Sequence, residues 1–257
     1  MELTELWVEN MRIDRIINPE SGKMLILEID WANDAYSERI IRDCRNYCDG
    51  VIVSKDQVNR LHPYLMGSSA PAFIIQIDWK SFYQGFQRSL YENSEIVNSA
   101  VEEAILLGAS SITSSFIVGH DKDEDEARNL EAISFLARAC ERAGVPLIIR
   151  CLPFGRRITK ENFCRCVELG ARVAMEAGAD IVAIPYTGDQ PSFNRIVYGV
   201  NIPILLLDVQ TPLGRSIDSL KSALEIGAVG AIISYETLKD YTTQKVKIIY
   251  EVIHGGS

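Results

Sequence analysis

Glu28 with Asp30, and Gln76 with Asp78, stand two residues apart near the ends of short apolar runs. Side chains of a β-strand alternate between its faces, so each pair shares one face. Carboxylates delivered this way could move a proton or act as hard oxygen ligands for Mg²⁺. Arg150 ends another apolar run, P-L-I-I-R. It could hold an anionic group of a substrate; an ion pair with Glu28 inside the fold is the alternative, because a buried charge without a partner is costly. Lys55 and Lys80 are the only lysines at strand ends. A lysine forms an imine with a carbonyl when burial or a neighbouring cation lowers its pKa; otherwise it binds an anion. Lys80 lies just past Asp78, whose carboxylate would keep the ammonium charged. His120 is the only histidine near a strand end, and its titration range suits acid–base work. A loop histidine in the acidic stretch 121–126 is the plainer reading. Tyr186, Asp208, Ser234 and Glu236 complete a dense set of polar residues following apolar runs.

The elements that must position these residues alternate along the whole chain. Strands are expected over 24–29, 50–53, 72–77, 111–118, 146–150, 180–184, 203–207 and 228–234. Near-continuous apolar runs suit parallel strands covered on the outside by helices. Amphipathic stretches at 37–47, 95–107, 124–143, 160–177, 192–197 and 216–226 lie between them. Four of these stretches end in glycine, at Gly108, Gly144, Gly178 and Gly227, the stop signal of a left-handed C-terminal cap. Eight strands alternating with helices in 257 residues predict an α/β fold: a single-domain (β/α)8 TIM barrel over 1–257. The rival open doubly wound sheet usually carries a glycine fingerprint after its first strand, and residues 29–35 offer none. A barrel gathers its site at the C-terminal ends of the strands, which is where the residues above fall.

Composition narrows the partners. The net charge of −9 argues against a general nucleic-acid or anionic-membrane binder, which would need clustered Lys and Arg. The longest apolar runs, such as 202–207, are far short of the roughly 20 residues that span a bilayer. The opening M-E-L-T-E-L-W lacks the features of a signal peptide, so a cytoplasmic location is expected. Cys44, Cys48, Cys140, Cys151, Cys164 and Cys166 form no C-x-x-C pair, and the three histidines fall at no zinc spacing. They read as reduced thiols.

Residues 180–189, D-I-V-A-I-P-Y-T-G-D, resemble the sixth strand of the class I aldolases of the DeoC/LacD type. In the archaeal-type fructose-bisphosphate aldolases and the aminodideoxyheptulosonate synthases that strand reads roughly D-x-x-K-x-x-Y-T-G-D. Residues 11–30, 99–110 and 145–158 are similar to further segments of the same family. The resemblance implies a TIM barrel, aldolase chemistry through a lysine imine, and a homo-oligomer built as a ring. It carries Asp30 over as the aspartate ending the first strand, and it aligns Lys55 with a position often basic in the family. Elsewhere the chain departs from the pattern. Trp31 stands for a histidine, Leu152 for a proton-donating tyrosine, and Ala183 for the imine lysine. The two phosphate-binding turns read Leu207-Asp208-Val209 and Ser234-Tyr235-Glu236, where carboxylates would repel a dianion.

The expectation is therefore a diverged aldolase-superfamily enzyme. It would make, break or rearrange a bond next to a carbonyl of a small polar metabolite without the family lysine. Asp30, His120, Tyr186, Lys55 and Lys80 are the catalytic candidates. Glu28, Asp78, Arg150, Asp208, Ser234 and Glu236 are the substrate-binding ones. No cofactor is expected, with Mg²⁺ on the carboxylates as the alternative. A non-catalytic homologue, serving as ligand sensor or partner subunit, is the second reading.

Overall fold

The computed structural model describes residues 12–29, 34–67, 70–81, 86–88, 94–208, 217–238 and 243–255. Eight parallel strands close into a barrel: β1 (Met24–Glu28), β2 (Gly50–Ser54), β3 (Ala72–Gln76), β6 (Ser111–Val118), β7 (Leu147–Pro153), β8 (Ile181–Ile184), β9 (Ile204–Asp208) and β10 (Gly230–Ile233). β1 pairs with both β2 and β10, which completes the circle. Each expected strand is present to within a few residues. The sequence reading missed a two-stranded antiparallel ribbon, β4 (Trp79–Ser81) and β5 (Phe86–Arg88), which follows β3.

Helices α1 (Asp34–Cys44), α2 (Lys55–Leu61), α3 (Ser94–Leu106), α4 (Asp123–Ala143), α5 (Phe163–Glu176), α6 (Gln190–Gly199), α7 (Ile217–Ile226), α8 (Tyr235–Leu238) and α9 (Thr243–His254) alternate with the strands. Asp123, Glu124, Asp125 and Glu126 form the first turn of α4, where negative charge is favoured by the helix dipole. Gly144 ends α4 at φ 58°, its N–H returning to the carbonyls of Cys140 and Glu141.

Strand alternation divides the apolar side chains into two clusters. Leu25, Val51, Ile149, Val182 and Leu206 face the helices, while Ile26, Ile52, Ile148, Ala183 and Leu205 fill the barrel interior. Ile16, from the segment before β1, joins the interior cluster and is fully buried. Near that same end, Ser21 Oγ lies 2.6 Å from His254 Nδ1 and His254 Nε2 lies 3.0 Å from Asp49 Oδ2. Together they form a serine–histidine–aspartate chain. The N–H groups of Glu20 and Ser21 are taken by Asn18 Oδ1, and that of Lys23 by Ser21 Oγ, so none of these three is left to hold an oxyanion. The chain instead ties α9 to the entries of β1 and β2. With Val246, Ile249 and Ile253 buried, α9 closes the barrel rather than offering its apolar face to a partner.

Between β3 and β6 the ladder stops well short of the end of β6. β6 pairs with β7 over seven positions but with β3 over only three, ending at Gln76 opposite Thr113. Beyond that point side chains replace the ladder. Asp78 Oδ2 accepts from the Ser115 N–H at 3.0 Å, Asn129 Oδ1 from Ile117 at 2.9 Å and Glu126 Oε2 from Gly119 at 2.9 Å. Buried backbone groups have to be paired somewhere, and two helix-borne side chains of α4 supply what a longer β3 would have supplied.

Candidate active site

Arg150 sits in the middle of β7 with 1% of its side chain exposed. Ile149 and Cys151 belong to the helix-facing cluster and Ile148 to the interior one, so alternation points Arg150 into the barrel. Its Nη1 donates to Glu28 Oε1, and its Nη2 lies 3.7 Å from Asp78 Oδ1. Both carboxylates are almost completely buried, with side-chain exposures of 6% and 4%. The alternative reading of Glu28, an ion pair with Arg150, is therefore what the structure contains. On the ladder Arg150 is level with Ser115 of β6 on one side and Ala183 of β8 on the other. Arg150 Nε and Nη2, Ser115 Oγ and Gln76 Oε1 are buried and make no hydrogen bond. Such atoms are uncommon in folded proteins and call for an explanation wherever they gather. None of the eight barrel strands contains a lysine, and Arg150 is their only basic residue.

Ser115 was missed in the sequence. The signal was there: Ser111, Thr113 and Ser115 alternate along an otherwise apolar strand, which marks a polar interior face.

The other candidates divide. Lys55 opens α2 and pairs with Glu103 of α3, with half of its side chain exposed. It turns outward because Ser54 occupies the inward position at the end of β2. Neither an imine nor an anion-binding role fits a solvated lysine already paired. We expect Lys55→Ala to shift stability by under about 1 kcal/mol in a denaturant titration, as exposed ion pairs do, and to leave any activity unchanged. Tyr186 also turns away from the mouth. Its ring packs on Phe193 of α6 at 5.3 Å between centroids, among the helix-facing side chains. Asp208 is the last residue of β9 and falls on the helix-facing parity of Ile204 and Leu206, against its expected place lining the mouth. Ser234 keeps the inward parity, but its Oγ lies 3.3 Å from Thr237 Oγ1, at the start of α8.

His120 lies two residues past the end of β6. Its carbonyl accepts from Arg157 Nη1, in the connection after β7, at 3.0 Å, and its Nε2 is buried without a hydrogen bond. Lys80 lies on β4 opposite Gln87, and Glu236 lies in α8; their side chains, like all of Asp30, fall outside the described residues. Among the described residues no group of three or more His, Cys, Asp or Glu is placed to hold a metal ion, since the guanidinium of Arg150 stands between Glu28 and Asp78. Burial raises the Cys44 thiol to about 11 and also raises Cys48 and Cys151, which suits unreactive thiols.

The Y-T-G-D run is a strand-to-helix connection. Asp189 caps α6, its carboxylate accepting from the Ser192 N–H at 2.8 Å and from Ser192 Oγ at 2.8 Å. The Ser192 backbone and hydroxyl hold the Asp189 carboxyl below its usual range. A depressed carboxyl contributes stability above its unfolded pKa and loses it as pH falls through the folded value. Asp189→Ala is expected to cost about 1 kcal/mol near neutral pH and less in acid, read from denaturant midpoints at the two pH values.

Residues 33–240 match the family described as DeoC/LacD family aldolase. That span is most of the chain. The chain belongs to the DeoC/LacD family of aldolases. An uncharacterized aldolase of Saccharolobus solfataricus is 26% identical over 232 residues, covering 86% of this chain and 82% of its own. The 2-amino-3,7-dideoxy-D-threo-hept-6-ulosonate synthase 1 of Archaeoglobus fulgidus is 26% identical over 256 residues, covering 95% and 90%. The crystal structure of an archaeal fructose 1,6-bisphosphate aldolase superposes with a TM-score of 0.77 at 24% identity, covering 96% of this chain and all of the other. That likeness confirms the barrel expected from the sequence. Among the described residues no helix is long and apolar enough to cross a membrane. Within this DeoC/LacD barrel, the mouth has a buried arginine between two carboxylates at the level of Ala183.

Proposed function

We propose that this chain is a carbon–carbon bond enzyme that works next to a carbonyl without a lysine imine, with Arg150 as the electrophile. The observation that carries this reading is that Arg150 is the only basic residue on the eight barrel strands, held at their centre beside Ala183. An iminium draws electrons from the neighbouring carbon. A guanidinium can do part of that work by donating N–H bonds to the carbonyl oxygen as it becomes an enolate oxygen, an interaction strengthened where water is excluded. Glu28 fixes the guanidinium, and Asp78 faces its Nη2. Asp30, the family aspartate, takes the proton from the carbon next to the carbonyl. The resulting enolate then attacks a second carbonyl, and the reverse sequence cleaves the same bond. The names of the relatives, a fructose-bisphosphate aldolase and a heptulosonate synthase, support chemistry of this class on a small polar metabolite.

The test pairs two measurements on the whole chain. Pooled carbonyls, including pyruvate, dihydroxyacetone phosphate, glyoxylate and aspartate semialdehyde, are incubated with the protein. Exchange of the α-hydrogen is followed in D₂O, and borohydride adducts are sought by intact mass. We expect exchange without an adduct, and a loss of about 100-fold in Arg150→Lys, the scale of removing one oxyanion donor. A stable adduct on any lysine would return the mechanism to an imine. The absence of exchange with every carbonyl would favour the sensor or partner-subunit reading.

A further inference from the structure

The unpartnered nitrogens of Arg150 share one edge of its guanidinium. Nη1, on the Cδ side, donates to Glu28 Oε1. Nε–H and one hydrogen of Nη2 point the same way, as the two teeth of the side-on fork, and both nitrogens are buried without a hydrogen bond. Asp78 Oδ1, 3.7 Å from Nη2, stands beyond hydrogen-bonding reach. Ser115 of β6 and Ala183 of β8 are level with Arg150, so its neighbours in the ladder are a hydroxymethyl and a methyl. Neither closes the fork. Ser115 Oγ, itself buried and unpartnered, offers a third hydrogen on the interior face, one strand spacing from Arg150.

The fork sets a demand that one water cannot meet. Its two N–H groups lie side by side in a rigid plane, and each needs its own acceptor. A water brings a single oxygen. Two oxygens held side by side answer both teeth, which is how arginine recognises carboxylates. Gln76 Oε1 differs in kind. It is an acceptor, since Gln76 Nε2 donates to the Asp78 carbonyl at 3.2 Å. It belongs one interior position deeper, where Gln76 is level with Thr113, and a buried water is the ordinary partner of a lone acceptor.

We infer that the group held by the Arg150 fork is a 2-oxo acid, its keto oxygen on one tooth and the neighbouring carboxylate oxygen on the other, with Ser115 Oγ–H on the second carboxylate oxygen. This substrate class rests on the proposed lysine-free carbonyl chemistry. When its keto and carboxylate groups are coplanar, a 2-oxo acid turns two oxygens to one side and offers three acceptors to the three donors. In the reaction a proton leaves C3 for Asp30. The C–H electron pair becomes the C2=C3 double bond, and the keto π pair moves onto the oxygen on the fork. The developing charge falls on an atom already bonded to a cation. Ser115 becomes a substrate-contacting residue that sets the preference for an acid over a simple ketone.

Two readouts on the whole chain separate the ligand from the chemistry. Oxamate, shaped like pyruvate but without an α-hydrogen, is titrated by calorimetry beside acetate and hydroxyacetone. Exchange of the α-hydrogen in D₂O is compared for pyruvate, 2-oxobutyrate, acetone, hydroxyacetone and dihydroxyacetone phosphate, each normalised to its rate with imidazole. Arg150→Lys and Ser115→Ala are measured beside the wild type, with folding checked by circular dichroism. We expect oxamate to bind more tightly than acetate or hydroxyacetone, and the two oxo acids to exchange fastest. Arg150→Lys keeps the charge and loses the fork, and should weaken oxamate about 100-fold, the scale of one hydrogen bond to a charged group. The ratio of pyruvate to acetone exchange should fall about tenfold in Ser115→Ala, a change that a generally loosened fold would not produce. Faster exchange of the ketones or of dihydroxyacetone phosphate, or an unmoved ratio in Ser115→Ala, would overturn the inference and leave the lysine-free reading standing. Oxamate binding that depends on Arg150, with no exchange of any compound, would keep the ligand and remove the chemistry. Neither binding nor exchange would remove both.

Discussion

Arg150→Met should lower the stability of this protein by about 3–5 kcal/mol, because it takes from the buried Glu28 and Asp78 carboxylates the guanidinium that faces them both. Methionine keeps the apolar stem but is shorter, so part of the effect is packing lost where the guanidinium stood. The rest comes from the charge left behind. A guanidinium 1% exposed, bonded to a carboxylate 6% exposed, has been taken out of water at considerable cost, and the attraction between the two offsets that cost only while both are present. The second half of the prediction follows. Glu28→Gln combined with Arg150→Met should recover a substantial part of the loss, since one of the two carboxylates that lost the guanidinium is then neutral. Urea titration of wild type, single and double variants measures both. A single variant within about 1 kcal/mol of wild type would mean that the pair is hydrated, contrary to its burial.

Gly230→Ala should be as damaging through a different cause. Gly230 opens β10 at φ 146°, and a Cβ placed there would lie 1.8 Å from the carbonyl oxygen of Met24. Met24 is the residue with which Gly230 pairs as β1 meets β10. The obstacle is backbone, not a side chain that could rotate aside, so the joint that closes the circle would have to open. Strain at this dihedral and the overpacking add to about 3–5 kcal/mol. Gly22→Ala is the control. It too has positive φ, 67°, but nothing lies within 4 Å of the added atom, and about 1 kcal/mol is expected. Thermal unfolding of the two variants separates dihedral strain from collision. Equal losses would show that close approach is not what Gly230 provides.

The barrel was legible because its signals are local and repeated. Apolar runs such as Ser111–Val118 and glycine stops such as Gly144 each specify their own element. The inward set Glu28, Asp78 and Arg150 could also be found, since parity along a strand needs only the sequence. Parity also decides Lys55 and Tyr186, once it is known which residue ends each strand. Lys55 is the first residue of α2, a helix the sequence reading did not see, and Tyr186 continues the outward parity of Ile184. The Y-T-G-D run drew attention as chemistry and turns out to be a capped helix start, because the hydrogen bonds of Asp189 to Ser192 cannot be told from catalytic spacing in one dimension. The partnerless atoms of Ser115 and Gln76 were beyond reach, because a missing hydrogen bond is a property of three-dimensional surroundings.

The seam between β3 and β6 bears on how such a barrel can change. Where strands pair, a shift of one residue in the ladder would turn every side chain on that strand to the opposite face. At the seam the rim is held by Asp78, Asn129 and Glu126, three side chains that single substitutions can shorten, lengthen or discharge. The aperture of the mouth is thus heritable one codon at a time on this side. A protein built this way can explore new ligands by adjusting a latch, with the register of its eight strands left untouched.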